Sequence, residues 1–279
     1  MFRTLLLSLS LVCLSLLAAC SGDSSSDSTN TCSVLGLGTS SASASPTSPA
    51  VTNVERIANG TPCSDLNKSP IVVVIKNYPN GSAGLCSGTL VAPSKVLTAA
   101  HCLDGASSID IYYGATTDKF AFTSSSGWNI DPNYKTLANG SKLNDVGIVH
   151  TNKVINLPSM PILVSSVPQA GQRVAIFGFG VTTGGVEDYG LLRSGAMTIA
   201  GVDAEHIYAN YESSGSNVCS GDSGGPMLLQ VGNQQTVAGT TSYGSSTTCA
   251  VGEQSVFMNL QSASIQNFLR SVAPDARYY

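Results

Sequence analysis

From Ile57 onward the chain is a succession of short apolar runs, none longer than eight residues, each cut off by turn-forming or polar residues such as glycine, asparagine, serine and proline. The runs are "IVVVIK" (71–76), "LCSGTLVA" (85–92), "KVLTAA" (95–100), "IDIYYG" (109–114), "VGIVH" (146–150), "RVAIFGFG" (173–180), "GAMTIAGV" (195–202), "PMLLQV" (226–231), "TVAGTTSY" (236–243) and "SVFMNL" (255–260). Segments of that length between turn formers read as strands. A helix needs apolar residues three and four apart over a longer stretch. Only "SASIQNFLRSV" (262–272) has them, with Ile265, Phe268 and Leu269 on one face and Pro274 to stop it. Many short strands and one terminal helix predict an all-β barrel or sandwich. Trp128, the single tryptophan, is assigned to the core.

The chain before Ile57 lacks this pattern. "MFRTLLLSLSLVCLSLLAAC" sets Arg3 ahead of a continuous apolar run ending on Ala18 and Ala19, the layout of a secretory signal peptide over 1–19. The run is too short to favour a membrane-spanning helix, and no basic cluster follows it. Its end, "LLAAC", resembles the lipobox of bacterial lipoproteins, which implies cleavage before Cys20 and lipid on its sulfur. Several acyl chains at about 0.8 kcal/mol per buried CH2 would hold the protein on a lipid bilayer of the cell envelope. Without the lipid, the same signal implies secretion. Residues 20–56 are dominated by Ser, Thr, Ala, Gly and Pro, as in "TSSASASPTSPA" (39–50). With little apolar surface to offset ordering entropy, they are expected to form a flexible tether and pro-segment ahead of a folded domain at 57–279.

The chain has eight cysteines. Removing Cys13 with the signal and Cys20 with the lipid leaves Cys32, Cys63, Cys86, Cys102, Cys219 and Cys249, an even set that suggests disulfides in an exported chain. Zinc is the rival reading, but there is no CxxC pair and the three histidines are scattered. A net charge of −4 and the lack of a basic stripe argue against nucleic acid as a partner.

Three segments carry chemistry. "TAAHC" (98–102) places His101 just after a strand, "LNDVGIVH" (143–150) places Asp145 at the head of another, and "CSGDSGGPM" (219–227) sets Ser223 among glycines. Singly, each has a structural explanation: a packed histidine, a strand cap, a polar turn. Together they match a chemical need. A serine hydroxyl is a poor nucleophile until an imidazole takes its proton, and the imidazole needs a carboxylate to hold its tautomer. "TAAHC", "NDVGI" and "GDSGGP" resemble the three catalytic motifs of the chymotrypsin-like (trypsin family) serine proteases, in that family's order, and the likeness runs from Ile57 to about Val272.

The resemblance implies two six-stranded antiparallel β-barrels and a C-terminal helix, with His101 and Asp145 from the first barrel and Ser223 from the second. It implies a monomeric serine endopeptidase that attacks protein or peptide substrates through an acyl-enzyme without a cofactor or metal. The amides of Gly221 and Ser223 would form the oxyanion hole, and Cys86–Cys102 and Cys219–Cys249 would be disulfides. "FGFG" (177–180) resembles the family's Gly-aromatic-Gly strand end, with Phe179 in the aromatic place. Asn217, six residues before the nucleophile, would lie at the base of the specificity pocket beside Val218, with Ser255 reducing its depth. Ser242, Tyr243 and Gly244 would pair with substrate backbone. A neutral Asn217 implies cleavage after small or medium uncharged residues, although Glu253 is near enough in sequence to bring a carboxylate to the rim.

"ERIANG" (55–60) resembles the family's activation junction. An activating protease would cut after Arg56, and the new Ile57 ammonium would pair with Asp222, making the chain a zymogen. "LLRSGAM" (191–197) offers Cys63 no partner, which leaves Cys32 and a disulfide tying the domain to its stalk. His150 and His206 fit no motif and are expected on the surface or in packing. The alternative is an inactive homologue acting as a protein-binding surface lipoprotein. That reading expects a missing motif residue, and His101, Asp145 and Ser223 are all present.

Overall fold

The computed structural model describes residues 31–40, 57–116, 119–183, 189–212 and 215–279. The expected signal peptide, Cys20 and Arg56 lie outside them. After a two-residue strand β1 (Thr61–Pro62) come β2 (Ile71–Asn77), β3 (Ala83–Ala92), β4 (Lys95–Thr98), β5 (Ser108–Thr116) and β6 (Lys119–Ile130). A small hairpin, β7 (Lys135–Thr136) and β8 (Lys142–Leu143), precedes β9 (Gly147–Thr151). Strands β2-β3-β4-β9-β6-β5 close into one antiparallel barrel. The second barrel comprises β10 (Arg173–Gly178), β11 (Arg193–Val202), β12 (His206–Asn210), β13 (Pro226–Val231), β14 (Gln234–Gly244) and β15 (Gln254–Asn259), ordered β11-β10-β13-β14-β15-β12. Pairing of β12 back onto β11 closes it, and β1 adds to the start of β11. Helix α1 (Ala263–Val272) buries the expected Ile265, Phe268 and Leu269.

The continuous apolar runs follow from burial on both faces. Along a strand successive side chains point to opposite sides. In β2, Val72 and Val74 enter the core of the first barrel, while Ile71 and Val73 join a cluster shared between the barrels. In β10, Val174 and Ile176 fill the second barrel, while Ala175 and Phe177 face that same shared cluster. Helix α1 packs its apolar stripe there too. Each of these Val, Ile, Leu and Phe side chains contributes about 1.5–3 kcal/mol of burial, so the contact between the barrels is itself a hydrophobic core.

All ten expected strands are present, and two barrel strands were not expected. Strand β6 is serine-rich and half exposed, with Phe122 at 47% exposure and a register shift between Ser125 and Gly127, so it shows no apolar alternation. Strand β12 reads "HIYAN", which is five residues long. Pairing on both edges, rather than its own composition, makes it a strand.

Part of the expected flexible tether is docked. Residues 31–40 begin with a 3-10 turn (Thr31–Leu35), and Cys32 and Leu37 are buried. Thr39 pairs with Cys63, Ser64 N–H donates to Gly38 O at 2.8 Å, and Thr31 Oγ1 donates to Ser194 Oγ at 2.6 Å. A few apolar anchors inside a serine-rich composition suffice to seat this strap. Disulfides join Cys32–Cys63, Cys86–Cys102 and Cys219–Cys249.

Candidate active site

His101 sits in a 3-10 turn (Ala100–Cys102) directly after β4, tied to β3 by the Cys86–Cys102 bond. Its ring Nδ1 lies 2.7 Å from Asp145 Oδ2, and its backbone N–H donates to Asp145 Oδ1 at 2.8 Å. An ionised carboxylate only accepts, so Nδ1 carries the proton and Nε2 is left for other work. Asp145 is fully buried between β8 and β9. Burial pushes its carboxyl up, but the bonds and charge of His101 and the Ser242 hydroxyl at 2.5 Å outweigh this, holding it below the usual carboxylate range. Ser242 belongs to β14, so the second barrel clamps an acid carried by the first. This is a different task for its side chain from the substrate pairing expected of its backbone.

The turn around Ser223 is built from its own amides. Asp222 N–H donates to Cys219 O at 3.0 Å, Gly225 N–H to Asp222 O at 2.9 Å and Gly224 N–H to Thr241 O at 2.8 Å. The amides of Gly221 and Ser223 take no partner among the described residues. Gly221 and Gly224 hold φ of +93° and +80°, a region that disfavours other residues. A Cβ on Gly224 would also run into Thr98 and the Ser87 carbonyl. The buried Asp222 carboxylate accepts the amides of Gly180 and Cys219, each at 2.8 Å.

Ser87 on β3 fastens this turn to the first barrel. Its N–H donates to Ser223 O at 2.8 Å, its hydroxyl donates to Gly221 O at 2.9 Å, and its Oγ accepts Phe179 N–H at 2.9 Å. Sequence reasoning missed it. The available signal was a serine next to a cysteine expected to brace the histidine turn.

His101 and Ser223 line one cleft of about 580 Å³ with Asn217, Val218, Tyr243 and Gly244. No hydrogen bond joins Ser223 Oγ to His101 among the described contacts; such bonds often tighten only once substrate is bound. Asn217 is buried: its N–H donates to Ala58 O at 3.0 Å, and its Oδ1 accepts the Ser255 hydroxyl. Ser255 is fully buried and acts on the recess through Asn217. Glu253 is at the rim, where its carboxylate accepts the Thr248 hydroxyl.

Ile57 packs into the core of the second barrel. Asn59 Nδ2 donates to Gly215 O at 2.7 Å and Ser216 Oγ donates to Asn59 O at 2.9 Å, which seats residues 57–60 against 215–217 beside the recess. His150 Nε2 meets Asn129 Oδ1 at 2.6 Å at the surface of the first barrel, and Trp128 packs partly buried against that barrel's core. Cys86, His101 and Cys102 cluster closely, but the two sulfurs are bonded to each other and so are unsuited to ligating a metal.

Comparison with known proteins agrees with this geometry. The Trypsin family model matches residues 57–266. The chain is 30% identical over 219 residues to Serine protease 1 of Drosophila melanogaster, covering 72% of this chain and 80% of that protein. It is 29% identical to Trypsin of Saccharopolyspora erythraea, covering 60% and 78%, and 28% identical to Brachyurin of Leptuca pugilator, covering 62% and 81%. With the two closed barrels and the cleft between them, these matches make the chain a member of the trypsin family and a serine peptidase.

Proposed function

We propose that the chain is an exported serine endopeptidase whose catalytic residues are His101, Asp145 and Ser223. The observation that carries this is the buried Asp145 carboxylate on Nδ1 of a histidine that lines the same cleft as Ser223. Ser223 Oγ attacks the scissile carbonyl as Nε2 takes its proton. The amides of Gly221 and Ser223, without a partner among the described residues, receive the oxyanion; losing one such donor typically costs about 10²- to 10³-fold in rate. The imidazolium, stabilised by Asp145, then protonates the leaving amine, and water releases the acyl group.

The neutral, buried Asn217 at the base of the recess supports cleavage after small or medium uncharged residues. A peptide library is expected to show this preference, and Asn217→Asp is expected to gain cleavage after Arg. A wild-type preference for Arg would overturn the assignment.

Activation proceeds by a cut after Arg56 that frees the Ile57 amine to pair with Asp222. The seated segment 57–60 and the burial of Asp222 support this. After the cut, Cys32–Cys63 keeps the strap, and through it a lipid on Cys20, attached to the domain. Non-reducing electrophoresis of the matured protein is expected to give one band that splits on reduction. Release without reductant, or a free thiol at Cys63, would rule the tether out.

A further inference from the structure

Lys142 is the one basic side chain besides His101 on the described wall of the cleft. It lies on β8, and its position is fixed from the second barrel. His206 Nε2–H donates to Lys142 O at 2.7 Å, and the Lys142 ammonium stands 5.1 Å from the centroid of the Tyr243 ring. His206 packs edge-on against the same ring at 6.0 Å. His206 is itself buried and held by Asp203, whose Oδ1 accepts the amides of Glu205 at 2.8 Å and His206 at 2.7 Å. The other oxygen of Asp203 accepts the Tyr208 hydroxyl at 2.7 Å, so this nearby carboxylate is already committed. Among the described residues no carboxylate forms an ion pair with Lys142. A half-buried cation thus lines the cleft without an ion-pair partner among the described residues, and the acidic side chain of the same cleft, Glu253, accepts the Thr248 hydroxyl instead.

Strand geometry says which part of a substrate meets it. Strand β14 pairs with β13 only as far as Thr240, so residues 242–244 run past it with one edge open beside the cleft. A peptide can add there as an extended strand. Its side chains then alternate. If the residue preceding the scissile bond drops into the Asn217 recess, the residue before that one points away from Asn217, within a cleft that His101, Ser141 and Lys142 also line. We propose that Lys142, positioned by His206 and Tyr243, selects an acidic side chain, Asp or Glu, at the second residue on the acyl side of the scissile bond. This inference rests on the protease reading above. It makes the substrate an acidic peptide whose cleaved residue is itself uncharged.

The test uses the matured protein and three internally quenched peptides that differ only at this second residue, as Glu, Gln or Lys. Glu is expected over Gln by about fivefold in kcat/KM, as for a partly exposed ion pair, with Lys below Gln. The preference is expected to shrink at 1 M salt, where the screening length falls to about 3 Å. Lys142→Gln should bring the Glu to Gln ratio to about one, and Lys142→Glu should favour the Lys peptide. His206→Ala should lower the ratio with Lys142 still in place. Each ratio is taken within one variant, so a general loss of activity cancels. Equal rates for Glu and Gln in the wild type, or an unchanged ratio in Lys142→Gln, would overturn the proposal. Failure to cleave any of a broad set of peptides would instead overturn the protease reading and this inference with it.

Discussion

Replacing Ser223 with alanine is expected to lower kcat by about 10⁶-fold, the scale seen when a nucleophile is removed from a triad of this kind. The loss should fall on kcat, because the recess around Asn217 and the open edge at 242–244 do not involve the hydroxyl. The fold should be unaffected. What Ser223 gives the architecture is its main-chain carbonyl, which accepts the Ser87 amide, and alanine keeps that. Steady-state kinetics beside a thermal melt checks both halves: loss of rate with an unchanged melting temperature. Retention of more than about a thousandth of the wild-type kcat would contradict a nucleophilic role.

Asp145→Asn is expected to lower kcat by about 10⁴-fold. Asparagine has nearly the same volume, so the buried site need not collapse. Its effect is on the proton. Asp145 accepts from the His101 ring, the His101 amide and the Ser242 hydroxyl. An amide group that must also donate can present N–H to the ring, which forces Nδ1 to accept and puts the ring proton on Nε2, where it cannot take the serine's. Part of the activity is expected to return at high pH, and a pH–rate profile of the variant reads this. A variant within tenfold of wild type at neutral pH would contradict the orienting role.

How much of this was legible in the sequence depended on where each residue's partners lie. The ten apolar runs were visible because each buries at least one face and several bury both, as the split of Ile71 and Val73 from Val72 and Val74 shows. Strands β6 and β12 were not, since neighbouring strands decide their pairing and their own residues are polar or few. His101, Asp145 and Ser223 could be singled out as candidates from short motifs, and the structure pairs the first two. Ser87, His206 and Lys142 sit in no motif. Their partners are 134 residues away in the case of Ser87 and Gly221, and 64 in the case of His206 and Lys142, so only the folded chain brings them together. The docking of residues 31–40 was hidden for a different reason. Average composition outweighed the two side chains, Cys32 and Leu37, that anchor the strap.

The measurement that bears most directly on the central claim is covalent labelling of the matured protein with an organophosphonate, read by mass spectrometry. Such a reagent is attacked by a serine only when a base removes its proton and an oxyanion site receives the charge, so labelling tests Ser223, His101 and the amides of Gly221 and Ser223 in one step. A single adduct on the peptide carrying Ser223 is expected, and none in Ser223→Ala. No adduct on the wild type, or an adduct that persists in Ser223→Ala, would contradict it.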